Sequence, residues 1–148
     1  VVFGTKGIVP ADEKREGDGA TPAGTYRLRR AFGYEAKVNT KLSYTQVTDG
    51  YYWVDDPSSL LYNQLVDKKP AAVSAEKMKR NDELYKLGIV IEYNTQPVVG
   101  GKGSAIFLHI WRGPAAPTAG CVAMRETDLV RLLAWIDPDK YPLIILKP

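Results

Sequence analysis

Ser104-Ala105-Ile106-Phe107-Leu108-His109-Ile110-Trp111 is the stretch on which the reading of this chain turns. It alternates along a strand, because successive side chains on extended backbone point to opposite faces. Ile106, Leu108 and Ile110 fall on one face and supply an apolar core surface. Ala105, Phe107, His109 and Trp111 fall on the other. An imidazole is thereby set between two aromatics near the end of a buried strand. A strand end beside a loop holds a side chain rigidly and leaves it within reach of a ligand.

The loop follows at once, as Arg112-Gly113-Pro114-Ala115-Ala116-Pro117-Thr118-Ala119-Gly120-Cys121. Its prolines restrict the backbone, and its small residues leave space above the strand. Gly120 stands directly before Cys121. A glycine there can take angles that turn amide groups outward, as a site for a developing oxyanion requires. Cys121 and His109 are the single cysteine and the single histidine of the chain. An ordinary thiol is only a few per cent ionised at neutral pH, so a nucleophilic cysteine needs a base, here by a thiolate–imidazolium pair. If Cys121 is the nucleophile, His109 is its partner. The group that orients the imidazole is left open between Asp, Asn and a backbone carbonyl.

Outward from this region, glycines and prolines punctuate short runs rich in Val, Ile, Tyr and Thr, the rhythm of many strands joined by turns. Strands are expected at Gly24 to Arg30, Tyr51 to Val54, Leu87 to Tyr93, Ser104 to Trp111 and Tyr141 to Lys147. Leu129, Leu132, Leu133 and Ile136 mark the apolar face of a helix, capped by Thr127 and stopped by Pro138. A shorter helix is expected from about Ser74 to Tyr85. The fold class is mainly β, sandwich-like or barrel-like and mostly antiparallel, with one or two helices packed outside. Tyr93 and Asn94 end a strand expected beside that of His109 and are candidates to line its cleft. Glu16 and Asp18 read as a solvated turn, and Trp53 with Asp55 and Asp56 as core and turn.

With 148 residues, 45% of them hydrophobic and 25% charged, the chain has the make-up of one globular domain spanning 1–148. One cysteine forms no internal disulfide, and one cysteine with one histidine makes no tetrahedral zinc set. No metal and no organic cofactor is implied. The net charge of +3 is spread among acids, so a nucleic-acid partner is not expected. No apolar run is long enough for a membrane span, and Val1 to Gly7 lack the order of a signal peptide.

His109 followed by Thr118-Ala119-Gly120-Cys121-Val122 resembles the active-site signature of the L,D-transpeptidases of the YkuD type. That signature is a histidine, a loop, and Ser/Thr-x-Gly-Cys before an aliphatic residue. Gly17-Asp18-Gly19-Ala20-Thr21-Pro22-Ala23-Gly24-Thr25-Tyr26 is similar to the family's glycine-rich Thr-Pro-x-Gly-x-aromatic segment, and Gly100 to His109 to its compact-loop variants. The resemblance runs from about Thr5 to Leu146. It implies a β-rich fold, Cys121 as nucleophile and His109 as base. It also implies Gly120 and the Cys121 amide as the oxyanion site, Thr118 shaping the loop, and a backbone carbonyl orienting the imidazole. Better-known members carry His where this chain has Ala119, and Arg where it has Ala123. Arg112 and Arg125 are then the candidates for a clamp on a substrate carboxylate. The implied partner is the stem peptide of peptidoglycan, attacked to give a Cys121 thioester and resolved by an amine (transpeptidase) or by water (L,D-carboxypeptidase or amidase). The implied place is the bacterial periplasm or cell wall. A non-catalytic cell-wall-binding module of the same fold is the alternative.

Overall fold

A computed structural model describes all residues, Val1–Pro148. Eleven strands and one helix follow in chain order. The strands are β1 (Ile8–Val9), β2 (Thr21–Pro22), β3 (Gly24–Gly33), β4 (Ser43–Gln46), β5 (Tyr52–Val54), β6 (Leu65–Val66), β7 (Ala75–Lys77), β8 (Leu87–Ile91), β9 (Phe107–Ile110), β10 (Val122–Met124) and β11 (Leu143–Leu146). Helix α1 (Glu126–Trp135) lies between the last two, followed by a short 3-10 turn at Pro138–Lys140.

The main sheet has the order β10-β9-β8-β3-β11, with β4 also on β3. The first half of the long β3 pairs with β11 and its second half with β4 and β8, across an irregularity between Leu28 and Ala31. A second sheet, β6-β5-β7, and the small β1-β2 pair complete the architecture. All five expected strands are present, and the mainly β class holds. The sheet is more mixed than expected, however: β10 runs parallel to β9, and β4 parallel to β3.

The two faces of β9 separate two cores, as its alternation requires. Ile106, Leu108 and Ile110 join Leu28, Ile89, Ile91, Leu129 and Leu133 beneath α1. Ala105 and Phe107 join Phe32, Trp53, Met78, Tyr85 and Cys121 on the opposite side. The second core is aromatic: Phe32, Trp53 and Tyr85 all meet Phe107 edge-on, with centroids 4.9 to 5.6 Å apart. Asn63 ties the layers together. Its carboxamide oxygen accepts from Trp53 Nε1 (2.8 Å) and the Ala105 amide (3.0 Å), and its nitrogen donates to the carbonyls of Tyr93 and Asn94.

Two helical expectations are corrected. No helix spans Ser74 to Tyr85. Ala75–Lys77 is a strand paired with β5, placing Glu76 opposite Trp53, and Met78 is buried beneath it. Ala-Glu-Lys-Met-Lys favours helix locally, but pairing with β5 and burial of Met78 override so weak a preference. Thr127 does not cap α1 either. Arg125 occupies the N-cap without a side-chain bond, and the acids Glu126 and Asp128 supply favourable charge in the first turn. Pro138 ends the helix as expected, with Ile136 already extended.

Leu129 is fully buried, whereas Val130, its neighbour, is half exposed. Leu129→Ala is expected to cost about 3 kcal/mol through lost burial and a residual cavity, and Val130→Ala less than about 1 kcal/mol. Urea unfolding followed by circular dichroism measures both.

Candidate active site

Parallel pairing of β9 and β10 assembles the site. Val122 stands opposite Leu108 and Ala123 opposite His109. Cys121, one residue earlier, therefore comes beside Phe107 and shares the face carrying Phe107 and His109. The Phe107 amide points at Cys121 Sγ, 3.4 Å away, and the thiol donates to the Ala105 carbonyl at 3.2 Å. Ala123, with no side chain beyond Cβ, leaves the space above it to the imidazole.

His109 is buried, and its Nδ1 lies 2.8 Å from the carbonyl oxygen of Ile110. A backbone carbonyl thus orients the ring and leaves Nε2 free. The Tyr85 ring stands edge-on to it at 5.3 Å. Burial is the main influence on both reactive groups. It pushes the Cys121 thiol up to about 12, aided by the Glu76 carboxylate, and pulls the imidazole below its ordinary value, against the Ile110 hydrogen bond. Burial thus disfavours the charged form of each group. A dry floor penalises both members of a thiolate–imidazolium pair, and no hydrogen bond joins the two side chains.

The 112–121 loop is tied down by hydroxyl groups. Thr118 Oγ1 donates to the Cys121 carbonyl (2.6 Å) and accepts from the Gly120 amide (3.1 Å). Thr21, fully buried in β2, donates to the Gly120 carbonyl (2.8 Å) and accepts from the Gly4 amide (2.9 Å). The first residues run alongside, with Val2 and Ala123 exchanging both backbone bonds and Thr118 bonded to Phe3 and Thr5. The Thr-Pro segment is therefore a brace for the loop that ends in Cys121. Gly120 has φ +143°, and a Cβ on it would sit 2.9 Å from the Ala20 carbonyl oxygen, so the position demands glycine. Its amide is already committed to Thr118. The Cys121 amide donates to no other group.

Cys121 and His109 open onto a single cleft of about 460 Å³. Arg112, Thr118, Ala119 and Gly120 line it, as do Lys14, Glu16, Asp55, Glu76, Arg80, Tyr85 and Ser104. A cysteine and a histidine stand on one sheet face, over a cleft and behind a braced Thr-x-Gly-Cys turn, which are the parts that nucleophile–base chemistry requires. A sequence model of the YkuD family, the L,D-transpeptidase catalytic domain, matches residues 1–145. The chain belongs to this family. No curated protein and no solved structure matches it.

In this YkuD domain the cleft draws its charge from chain segments far from Cys121. Arg80 grips Asp82 with two bonds of 2.9 Å and lies 3.7 Å from Glu76. Arg112 is exposed at the rim, 3.9 Å from Asp82. Arg125 is not in the lining; it meets Asp128 and the Trp111 ring. Tyr93 and Asn94 do not line the cleft. Tyr93 is core, its hydroxyl bonded to the Lys102 carbonyl, and Asn94 closes the 95–103 loop through Val99 and Gly103. Glu16 is no solvated turn residue: it accepts from the Tyr62 hydroxyl and faces the cleft. Asp18, by contrast, pairs with buried Lys14 at 2.7 Å.

Thr21→Val keeps the shape of the brace but removes its hydroxyl, leaving the Gly4 amide and the Gly120 carbonyl without their partner. A loss of about 1–3 kcal/mol in denaturant unfolding is expected. Slower turnover should accompany it, because the Cys121 turn is no longer held.

Proposed function

We propose that this L,D-transpeptidase-family domain performs acyl transfer on peptidoglycan stem peptides through a thioester on Cys121, with His109 as its base. The observation that carries the reading is the shared face of Cys121 and His109 over one cleft, with the Cys121 amide free beside the thiol.

The chemistry that follows has the thiol proton passing to neutral His109 Nε2 as sulfur attacks the carbonyl, rather than before it. A lowered imidazole pKa favours this order, because burial disfavours the protonated ring and keeps it able to accept. The negative charge on the carbonyl oxygen falls to the Cys121 amide. Imidazolium then protonates the departing amine of the D-amino acid, and the thioester remains. An amine from a second stem resolves it in a transpeptidase, and water in a carboxypeptidase. Peptidoglycan lies outside the cytoplasm, so the working place is the periplasm or wall of a bacterium. The alternative of a silent binding module has less support, since a braced glycine turn and an unoccupied amide at a cysteine serve no binding purpose.

Disaccharide-tetrapeptide fragments incubated with the protein and followed by mass spectrometry test the reading. Wild type should release the terminal D-amino acid or form cross-linked dimers, and Cys121→Ala should do neither. Dimers or exchanged D-amino acids identify a transpeptidase; a tripeptide alone identifies a carboxypeptidase. Turnover that survives Cys121→Ala sinks the scheme. His109→Gln should lower kcat by about a hundredfold or more.

The pH dependence has a definite sign. Burial lowers the imidazole pKa, so more acid is needed to protonate the base. The acid limb of kcat/KM should therefore fall below the ordinary histidine range, about 6.5. Iodoacetamide should alkylate resting Cys121 at pH 7 more slowly than free cysteine, given a thiol pushed up to about 12. A thiolate inflection below pH 7 would contradict proton transfer in step with attack.

A further inference from the structure

Ala105 lies just ahead of β9 and makes no backbone–backbone hydrogen bond of its own. Two side chains hold its peptide groups instead. Its amide donates to Asn63 Oδ1 at 3.0 Å, and its carbonyl accepts from the Cys121 thiol at 3.2 Å. Between those bonds the residue has φ +54°, the left-handed region that an L side chain rarely adopts. Alanine has no polar side-chain group to favour that conformation, so the hold comes from outside the residue. Asn63 is equipped to supply it. It is 4% exposed, and its carboxamide uses its full capacity of four bonds. The oxygen accepts from Ala105 and from Trp53 Nε1, and the nitrogen donates to the carbonyls of Tyr93 (3.2 Å) and Asn94 (2.7 Å). A flipped carboxamide would set donors against donors and acceptors against acceptors.

At the other end of this chain of bonds stands the sulfur. The Ala105 carbonyl takes the thiol hydrogen, and the Phe107 amide donates to Sγ at 3.4 Å. Together the two groups select one of the staggered orientations open to a cysteine side chain. Phe107 is fixed by pairing with Val90 in β8, so Ala105 is the member that can move. Turning it out of the left-handed region would swing its carbonyl away and leave a buried thiol without an acceptor. Asn63 lies outside the cleft lining, whereas Ala105 and Cys121 are both in it. The carboxamide therefore meets no substrate, and its influence on the sulfur passes through Ala105.

We propose that Asn63 is a positioning residue for Cys121: it holds Ala105 in left-handed backbone, so that the Ala105 carbonyl fixes Sγ in one orientation for attack. The inference rests on the acyl-transfer reading above and adds a residue that acts on the nucleophile through a single peptide unit. Its effect belongs in kcat, because attack needs the sulfur at a set place. Substrate binding needs only the cleft walls, which Asn63 does not form.

Asn63→Gly removes the carboxamide without new backbone strain, since Asn63 itself has φ +58°. Asn63→Asp is the conservative variant: burial favours its neutral acid, whose carbonyl oxygen still accepts from the Ala105 amide. Two quantities are measured on each, well below its unfolding temperature. One is turnover of the disaccharide-tetrapeptide. The other is the infrared S–H stretch, which only Cys121 can give in this chain, with Cys121→Ala as the blank. Asn63→Gly is expected to lower kcat at least about tenfold while KM stays within about twofold. Its S–H band should move to higher frequency as the thiol loses its acceptor. Asn63→Asp should keep kcat and band close to wild type even where it loses stability. An unmoved band or an unchanged kcat in Asn63→Gly overturns the proposal and leaves acyl transfer standing. The wild-type band is a check that survives any failure of Asn63→Gly to fold: it should lie below that of a thiol in apolar solvent, and a band at the solvent frequency overturns the proposal. A shifted band without any wild-type turnover supports the hold on the sulfur and removes the enzymatic reading. An unmoved band with no turnover removes both.

Discussion

The site depends on β9 and β10 lying side by side and parallel. Two parallel neighbours cannot be joined by a tight hairpin, because the chain must return to the starting end of the first strand before the second begins. Trp111 to Cys121 is that return path. Its end is set at the beginning of β10, one step before Val122 meets Leu108. The same geometry puts Cys121 and His109 on a common face as diagonal neighbours. Shifting either strand by one residue would send one of the two side chains into the core under α1. The apolar set Ile106, Leu108 and Ile110 guards against that slip, since it would have to leave its own core.

Electrostatics at the site follow from the core it is built on. Phe107, Tyr85 and Trp53 make the floor dry, and a dry floor disfavours ions on both reactive groups. The thiol is driven up and the imidazole down. Burial thus works against an ion pair between the two groups. The neutral ring has Nδ1 occupied by the Ile110 carbonyl and Nε2 open.

Rigidity comes from unexpected quarters. The turn before Cys121 is braced from within by Thr118 and from a distance of about a hundred residues by Thr21. The N-terminal residues close over it through the Val2–Ala123 bridge. Hydroxyl groups serve here because they both donate and accept, so one side chain can satisfy an amide and a carbonyl at once.

Much was already determined by the sequence alone. Alternation in 104–111 separated a core face from a reactive face, and both survive intact, because period-two patterning is a local property of extended backbone. A lone Cys after Thr-Ala-Gly and a lone His upstream left no freedom in pairing the two. Helix α1 was equally plain from the spacing of Leu129, Leu132 and Leu133. Strand direction was not legible, as residue patterns do not record whether neighbours run parallel. Ser74 to Tyr85 misled because its helix preference was outweighed by pairing with Trp53, 23 residues before Glu76. The charged lining of the cleft was invisible for a related reason. Glu16, Asp55, Glu76, Arg80 and Ser104 meet only after the chain folds, and nothing local distinguishes them from solvated turn residues. Tyr93 and Asn94 show the converse, being adjacent to the site in strand order but turned to the core and to their own loop. Chemistry that resides in neighbours along the chain could be read from it; the surface against which a substrate would rest was decided only by tertiary contacts.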